Sequence, residues 1–251
     1  MSSSRRQFVK LGLGTSTALM GGGLFDVVSG RLALASEDRS PASIDAFPRK
    51  YEIKPLSFKP ESLKDLSPKL ITSHHENNYG GAVKNLMKVE AEIMKLSADA
   101  PAFVLTGLKS SEHAFRNSMI LHELYFENLG ANFKVKGRTA KIISGAWGSQ
   151  SRFESEMKTS GAGVGGGTGW IILGWDLRAE QPILSCIGHN NQFPANSIPL
   201  LLMDVYEHAY AIEYGANLKG YIDAFFANIN WEVVEKRLEK AESVSKLLRR
   251  S

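Results

Sequence analysis

Three of the six histidines sit where a metal ligand would be useful. His74 lies on the first long helical stretch, His122 midway along the second, and His208 follows Asp204 by four residues. The last spacing puts a carboxylate and an imidazole on one helical face, or across a strand-to-helix junction. Several imidazoles with one carboxylate suit iron, manganese or zinc, which all accept mixed nitrogen and oxygen ligation. Singly, each histidine is more simply explained by an ordinary hydrogen bond within a helix. His75 and His113 read as packing or surface residues. The lone Cys186 excludes an intramolecular disulfide framework and any Cys-rich zinc or iron–sulfur module, and it reads as a small buried hydrophobe.

The elements that must position these residues follow from the apolar periodicity. Residues 36–60 contain Pro41, Pro48, Pro55 and Pro60 and predict an extended arm. Residues 61–98 are helical in pattern, with a break near Pro68, and residues 99–107 form a turn. A second helix is predicted from Ser110 to Asn128, with Gly130 as its C-cap, which makes a helical hairpin. A third is predicted over 138–158. The character then changes. The apolar run from Trp170 to Trp175, then 182–187 and 198–205, reads as three short strands, and two or three helices end the chain, the last over 231–249. The fold class is α+β: an N-terminal helical hairpin (61–135), then an α/β domain (136–251) with a small three-stranded antiparallel sheet flanked by helices. Residues 161–166 match G-x-G-x-x-G, but a nucleotide loop needs a strand before it and a helix after it, and here the order is reversed.

The 251 residues are 43% hydrophobic, enough for a core, which excludes a globally disordered chain. The net charge of +4 is uneven. Residues 1–35 carry Arg5, Arg6, Lys10 and Arg31 against Asp26, so the remainder holds 26 basic and 25 acidic residues. That balance gives no reason to expect a nucleic-acid partner. Arg5-Arg6 with Phe8 and Lys10, an uncharged stretch from Leu11 to Phe25, and Ala33-Leu34-Ala35 have the order of a twin-arginine export signal with its cleavage site. The stretch is too short and polar for a membrane span. The expected location is periplasmic or secreted.

Five blocks together carry a resemblance. Asp204-Val205-Tyr206-Glu207-His208-Ala209-Tyr210 resembles the Asp-x-Trp-Glu-His-Ala-Tyr signature of iron/manganese superoxide dismutases. His74-His75 with Asn85-Leu86, and His122-Glu123-Leu124-Tyr125-Phe126, resemble that family's two ligand helices. Residues 167–173 resemble its Gly-x-Gly-Trp strand, and Asn228-Ile229-Asn230-Trp231 its Asn-x-x-Asn-Trp segment. The blocks fall in order over about residues 50–245.

The resemblance implies one iron or manganese held by His74, His122, Asp204 and His208, with a bound water or hydroxide. It implies an enzyme that oxidises one superoxide to dioxygen and reduces the next to hydrogen peroxide as the metal alternates between 3+ and 2+. Three neutral imidazoles and one anion leave positive charge on such a metal, which acidifies its water and attracts a small anion. Trp170 matches the family's cavity tryptophan. Glu207 matches a residue that reaches the partner's His208 in a homodimer.

The sequence departs from the family around the cage. The channel His and Tyr positions, four and eight residues after His74, are Asn78 and Ala82, and a Tyr at position 211 is replaced by Ala211. Tyr79, adjacent to Asn78, is a candidate cavity hydroxyl. The residue bonding the metal water is expected to be His189, with Gln192 and Ser118 as rivals, and Tyr206 replaces the signature's Trp. The pattern leans to iron, or to tolerance of both metals. The alternative is a metal-binding relative with weak or different activity.

Overall fold

The computed structural model describes residues 49–130, 134–164 and 167–249. The expected leader and residues 36–48 of the arm lie outside these. From Arg49 to Phe58 the chain has no regular structure, as its prolines predict. A buried carboxylate anchors it. Glu90 accepts hydrogen bonds from Arg49 N (2.8 Å) and the Tyr51 hydroxyl (2.9 Å) and pairs with Arg116 (2.6 Å). Such a carboxylate is tolerated inside because its lone pairs are taken.

Helix α1 (Pro68–Ser73) starts where the sequence suggests a break. Pro68 lies in the first turn, where a missing N–H has no partner to lose, and Ser67 Oγ accepts from Leu70 N at 3.2 Å. One π-helical turn, His74–Tyr79, joins α1 to α2 (Gly80–Lys95). Helix α3 (Ala102–Glu127) begins directly after Pro101, eight residues before the expected start, with Gly107 inside it. One interior glycine costs about 1 kcal/mol, too little to break a long helix packed along its partner.

The single helix expected over 138–158 is two, α4 (Gly137–Trp147) and α5 (Gln150–Gly163). Gly148 adopts a left-handed φ of 79° between them, and Ser149 caps α5 by accepting from Arg152 N. Helix α5 takes in residues 161–163, the start of the G-x-G-x-x-G match.

Strands β1 (Trp170–Asp176), β2 (Gln181–Ile187) and β3 (Ser197–Asp204) form one antiparallel sheet in the order β2–β1–β3. Central β1 is covered on both faces, which explains its continuous apolar run. The two edge strands carry Pro182 and Pro199, where a missing ladder donor is tolerated. Cys186 is exposed, contrary to expectation, because edge strand β2 is only partly covered. Helices α6 (Ala211–Tyr214), α7 (Leu218–Ala227) and α8 (Trp231–Leu248) complete the α+β fold. Among the described residues no helix is long and apolar enough to cross a membrane.

Two buried asparagines join the helical and sheet-containing parts. Asn128, just after α3, accepts from Leu202 N (3.0 Å) and donates to Leu202 O (3.3 Å), so its side chain acts as a strand neighbour to β3. Asn228, just after α7, does the same for Lys64, at 2.8 and 2.6 Å. A bridge between Leu129 and Ile229 lies beside them. Arg237 of α8 donates to Leu124 O (2.8 Å) of α3 and Leu200 O (2.9 Å) of β3. These bonds fix α3 against the strand that ends at Asp204.

Candidate metal centre

Strand β3 ends at Asp204, opposite Trp170 at the start of β1. Pairing continues past the strand. Val205 N donates to Gly169 O and Glu207 N to Gly167 O, both at 3.0 Å. A Cβ at Gly169 would lie 2.5 Å from Ile187 O, so only glycine lets the backbone pass. A short 3-10 turn, Glu207–Ala209, then brings His208 back toward Asp204. His74 opens the π-helical turn after α1, and His122 lies within α3.

These elements bring one donor atom from each of His74, His122, Asp204 and His208 within 4.8 Å of one another. Asp204 Oδ2 is 3.1 Å from His74 Nε2, 3.1 Å from His208 Nε2 and 3.6 Å from His122 Nε2. The Nε2 atoms of His122 and His208 are 3.4 Å apart. Metal–ligand bonds of about 2.1 Å meeting at about 90–120° would space neighbouring donors about 3.0–3.6 Å apart. The donor chemistry also fits. His122 Nδ1 donates to Ser118 O at 2.7 Å, which fixes its proton there and leaves Nε2 with a free lone pair aimed into the cluster.

The electrostatics keep that lone pair available. Burial, reinforced by neighbouring His74, holds His122 down at about 3, and burial lowers His74 as well. Both rings are therefore neutral near pH 7. Burial alone would raise the Asp204 carboxyl, but the adjoining His208 and His74 rings outweigh it and hold Asp204 well below the usual carboxylate range. Its second oxygen accepts from Tyr206 N at 2.9 Å. The set offers three imidazole nitrogens and one anion, which suits iron, manganese or zinc.

Aromatic rings close the interior side. Trp170 meets His122 edge-on at 5.1 Å, Tyr125 and Phe126 lie 5.1 and 5.0 Å from His74, and all three are buried. His208 alone keeps exposure, 26% of its side chain, with Tyr206 stacked on it at 5.2 Å.

Beyond Ser118, which bonds His122 Nδ1, lies an open cleft of about 390 Å³. Asn78, Ala82, Ser118, His189 and Asn190 line it, so the two departing channel positions, 78 and 82, both lie here, while Ala211 and Tyr206 do not. The Trp170 indole N–H donates to Asn190 Oδ1 at 2.8 Å, which ties the cleft wall to the aromatic shell. His189 is exposed and caps a turn, with Nδ1 2.9 Å from Asn191 Oδ1. Gln192 spends its carbonyl oxygen on Gly188 N and His189 N. Ser118 Oγ lies 3.3 Å from His122 Nδ1, the nitrogen turned away from the cluster.

Tyr79 is not brought to this cleft. Its hydroxyl accepts from Lys54 N (2.9 Å) and donates to Glu123 (3.0 Å), beside a separate cavity of about 130 Å³. Burial pushes it up to about 12. The reason is local: Tyr79 ends the π-helical turn, so its direction does not follow ordinary helical spacing from His74. His75 joins the same region by bonding Lys54 O at 2.8 Å, and exposed His113 lies 3.4 Å from Asn117. What sequence reasoning missed is a buried pair, Tyr125 and Tyr221, behind Asp204. Tyr125 belongs to the His122–Phe126 segment, but nothing local signals its contact with Tyr221.

Comparison with known proteins follows this geometry. Residues 135–237 match the model of the iron/manganese superoxide dismutases, C-terminal domain. A protein named superoxide dismutase [Fe] from Cupriavidus metallidurans is 42% identical over 192 residues, covering 76% of this chain and 98% of the relative. One of the same name from Aquifex aeolicus is 31% identical over 201 residues, covering 76% and 93%. A superoxide dismutase [Mn/Fe] from Aeropyrum pernix is 28% identical over 207 residues, covering 80% and 96%.

Proposed function

This chain belongs to the iron/manganese superoxide dismutase family, and we propose that its three-histidine, one-aspartate cage works with iron in an exported homodimer. It is an oxidoreductase that converts superoxide to dioxygen and hydrogen peroxide. The observation that carries the reading is the convergence of His74, His122, Asp204 and His208 in a buried aromatic shell. When bound, the metal supplies one-electron chemistry, taking an electron from one superoxide and returning it to the next with two protons.

The chain's own residues set the conditions for that chemistry. His74 and His122 stay neutral because they are buried, and the bond from His122 Nδ1 to Ser118 O leaves His122 Nε2 able to ligate without losing a proton first. Asp204 contributes the single negative charge, so with a metal bound three imidazole ligands and one carboxylate would leave the centre cationic and attractive to a small anion. Ser118 O orients the His122 ring through Nδ1. Trp170, Tyr125 and Phe126 exclude water from the interior side. Superoxide enters from the cleft beside Asn78 and Ala82, where His189 is the titratable side chain we assign to proton supply.

Export and assembly have separate support. Export rests on the order of Arg5-Arg6, the uncharged stretch and Ala33-Leu34-Ala35. The dimer rests on His208, the exposed member of the cage, next to exposed Glu207. A partner copy meeting this edge through Glu207 would cover His208.

The test is superoxide dismutation by protein loaded separately with iron and with manganese, with metal content measured on the same samples. We expect activity with iron. Full iron occupancy without dismutation would contradict the reading and favour a metal-binding relative of different activity, for which the missing channel His and Tyr at positions 78 and 82 are the motive. Sedimentation tests the dimer, and a monomer at micromolar concentration would overturn that part alone.

A further inference from the structure

Behind Asp204 lies a hydrogen-bond chain whose direction can be deduced. The Tyr221 hydroxyl is 2.6 Å from Asp204 O and 3.2 Å from the Tyr125 hydroxyl, and all of these groups are buried. A carbonyl only accepts, so Tyr221 must donate its one proton to Asp204 O. Between the tyrosines, Tyr125 is then the donor and Tyr221 the acceptor. Tyr125 stands three residues after His122 on α3, and its ring packs 5.1 Å from His74. Tyr221 comes from α7, which supplies none of the four donors. Phe225 stacks on Tyr125 at 6.0 Å and Tyr210 lies 5.6 Å from Tyr221, so neither ring has room to turn.

We propose that Tyr221 is a positioning residue for the metal cage: it fixes the backbone of Asp204, and so the placement of Oδ2 against His74 and His208, while Tyr125 orders Tyr221. The proposal rests on the reading that the four donors hold a metal. The chain is asymmetric. Tyr221→Phe deletes the bond to Asp204 and leaves the Tyr125 proton without its acceptor. Tyr125→Phe deletes only the bond between the tyrosines and leaves Asp204 O satisfied. A role confined to packing would show no such order, because both substitutions remove one buried hydroxyl.

The test compares wild type, Tyr221→Phe, Tyr125→Phe and a control, Tyr51→Phe, which removes a hydroxyl bonded to Glu90 and Arg116 and to none of the four donors. Three readouts are taken: iron release to excess chelator, the electron paramagnetic resonance spectrum of the ferric protein, and amide hydrogen exchange at residues 203–206 in metal-free protein. We expect Tyr221→Phe to release iron at least about tenfold faster, in the range of groups that orient ligands. Its spectrum should shift, and exchange at 203–206 should accelerate. For Tyr125→Phe we expect about threefold faster release, the size of one ordinary hydrogen bond. Tyr51→Phe should lower thermal stability and leave spectrum and exchange unchanged. A wild-type spectrum and wild-type exchange in Tyr221→Phe would overturn the proposal, as would equal changes in Tyr51→Phe. Should Tyr221→Phe not fold, an unchanged Tyr125→Phe overturns the ordered chain. A wild type that takes up no iron refutes the metal reading instead, and the exchange comparison still decides the role of Tyr221.

Discussion

The two sides of the cage are built differently. On the interior side, Trp170, Tyr125 and Phe126 are buried, Asp204 is anchored through both its backbone and its side chain, and Asn128 and Arg237 tie α3 to β3. On the cleft side, Asn78, Ala82, Ser118 and His189 face open space. The positions of the family's channel His and Tyr, here Asn78 and Ala82, lie on this second side, while Tyr206 and Ala211 depart from the family away from it. The contrast separates two tasks. Holding a metal needs donors fixed by dense packing and satisfied hydrogen bonds, so little can vary there. Admitting a small anion and its protons needs only an approach of suitable size and charge, so side chains there can change without loosening the cage.

The largest expected effect comes from removing the anion at the centre. Asp204→Ala should abolish both metal retention and dismutation, because three imidazoles would then face a cation without a counter-charge. Metal analysis after dialysis checks it, and retained metal with full activity would remove Asp204 from the ligand set.

Next is the frame of the closed side. Asn128→Ala leaves Leu202 N–H and C=O unpaired in the interior. We expect a loss of about 2–4 kcal/mol in urea unfolding, the sum of two orphaned groups. A loss below about 0.5 kcal/mol would mean that the halves are held together elsewhere.

A pH series on metal-free protein sharpens the same point. The folded value of His122, about 3, lies below the ordinary unfolded value of about 6.5. Its contribution is therefore fully present above about pH 6.5 and is lost as the pH falls toward 3, because the unfolded chain binds a proton that the native cage refuses. His74 acts in the same direction. We expect the unfolding midpoint to fall progressively across this window, and a flat midpoint from pH 7 to 4 would contradict the burial argument.

The smallest effect on the fold belongs to the open side. His189→Ala should change the pH dependence of dismutation while iron content stays intact and stability moves by less than about 0.5 kcal/mol. An unchanged pH profile would shift the proton role to Ser118 or Gln192.

Much of this was legible in the sequence, for reasons that are local. The run from Trp170 to Trp175 announced a covered strand, while the Asp204–His208 spacing fitted a helical face or a strand-to-helix junction, and the chain leaves β3 at Asp204 for a 3-10 turn. The helix starts were harder. Pro68 and Pro101 both punctuate the chain, and whether a proline breaks or opens a helix depends on the hydrogen bonds of the preceding turn. The split at Gly148 needed a left-handed residue that sequence alone does not require. The direction of Tyr79 does not follow from its adjacency to Asn78, because it ends a π-helical turn and its hydroxyl meets Lys54 and Glu123. The Tyr125–Tyr221 pair and the Asn128–Leu202 pair are tertiary, joining residues 96 and 74 positions apart, and no periodicity encodes them.

The central claim is that this cage carries dismutation despite the altered cleft. It is tested most directly by superoxide decay measured across samples of graded iron occupancy. We expect the rate to rise in proportion to bound iron and to vanish in the metal-free protein. A rate that stays at the spontaneous level while iron fills the site would contradict it.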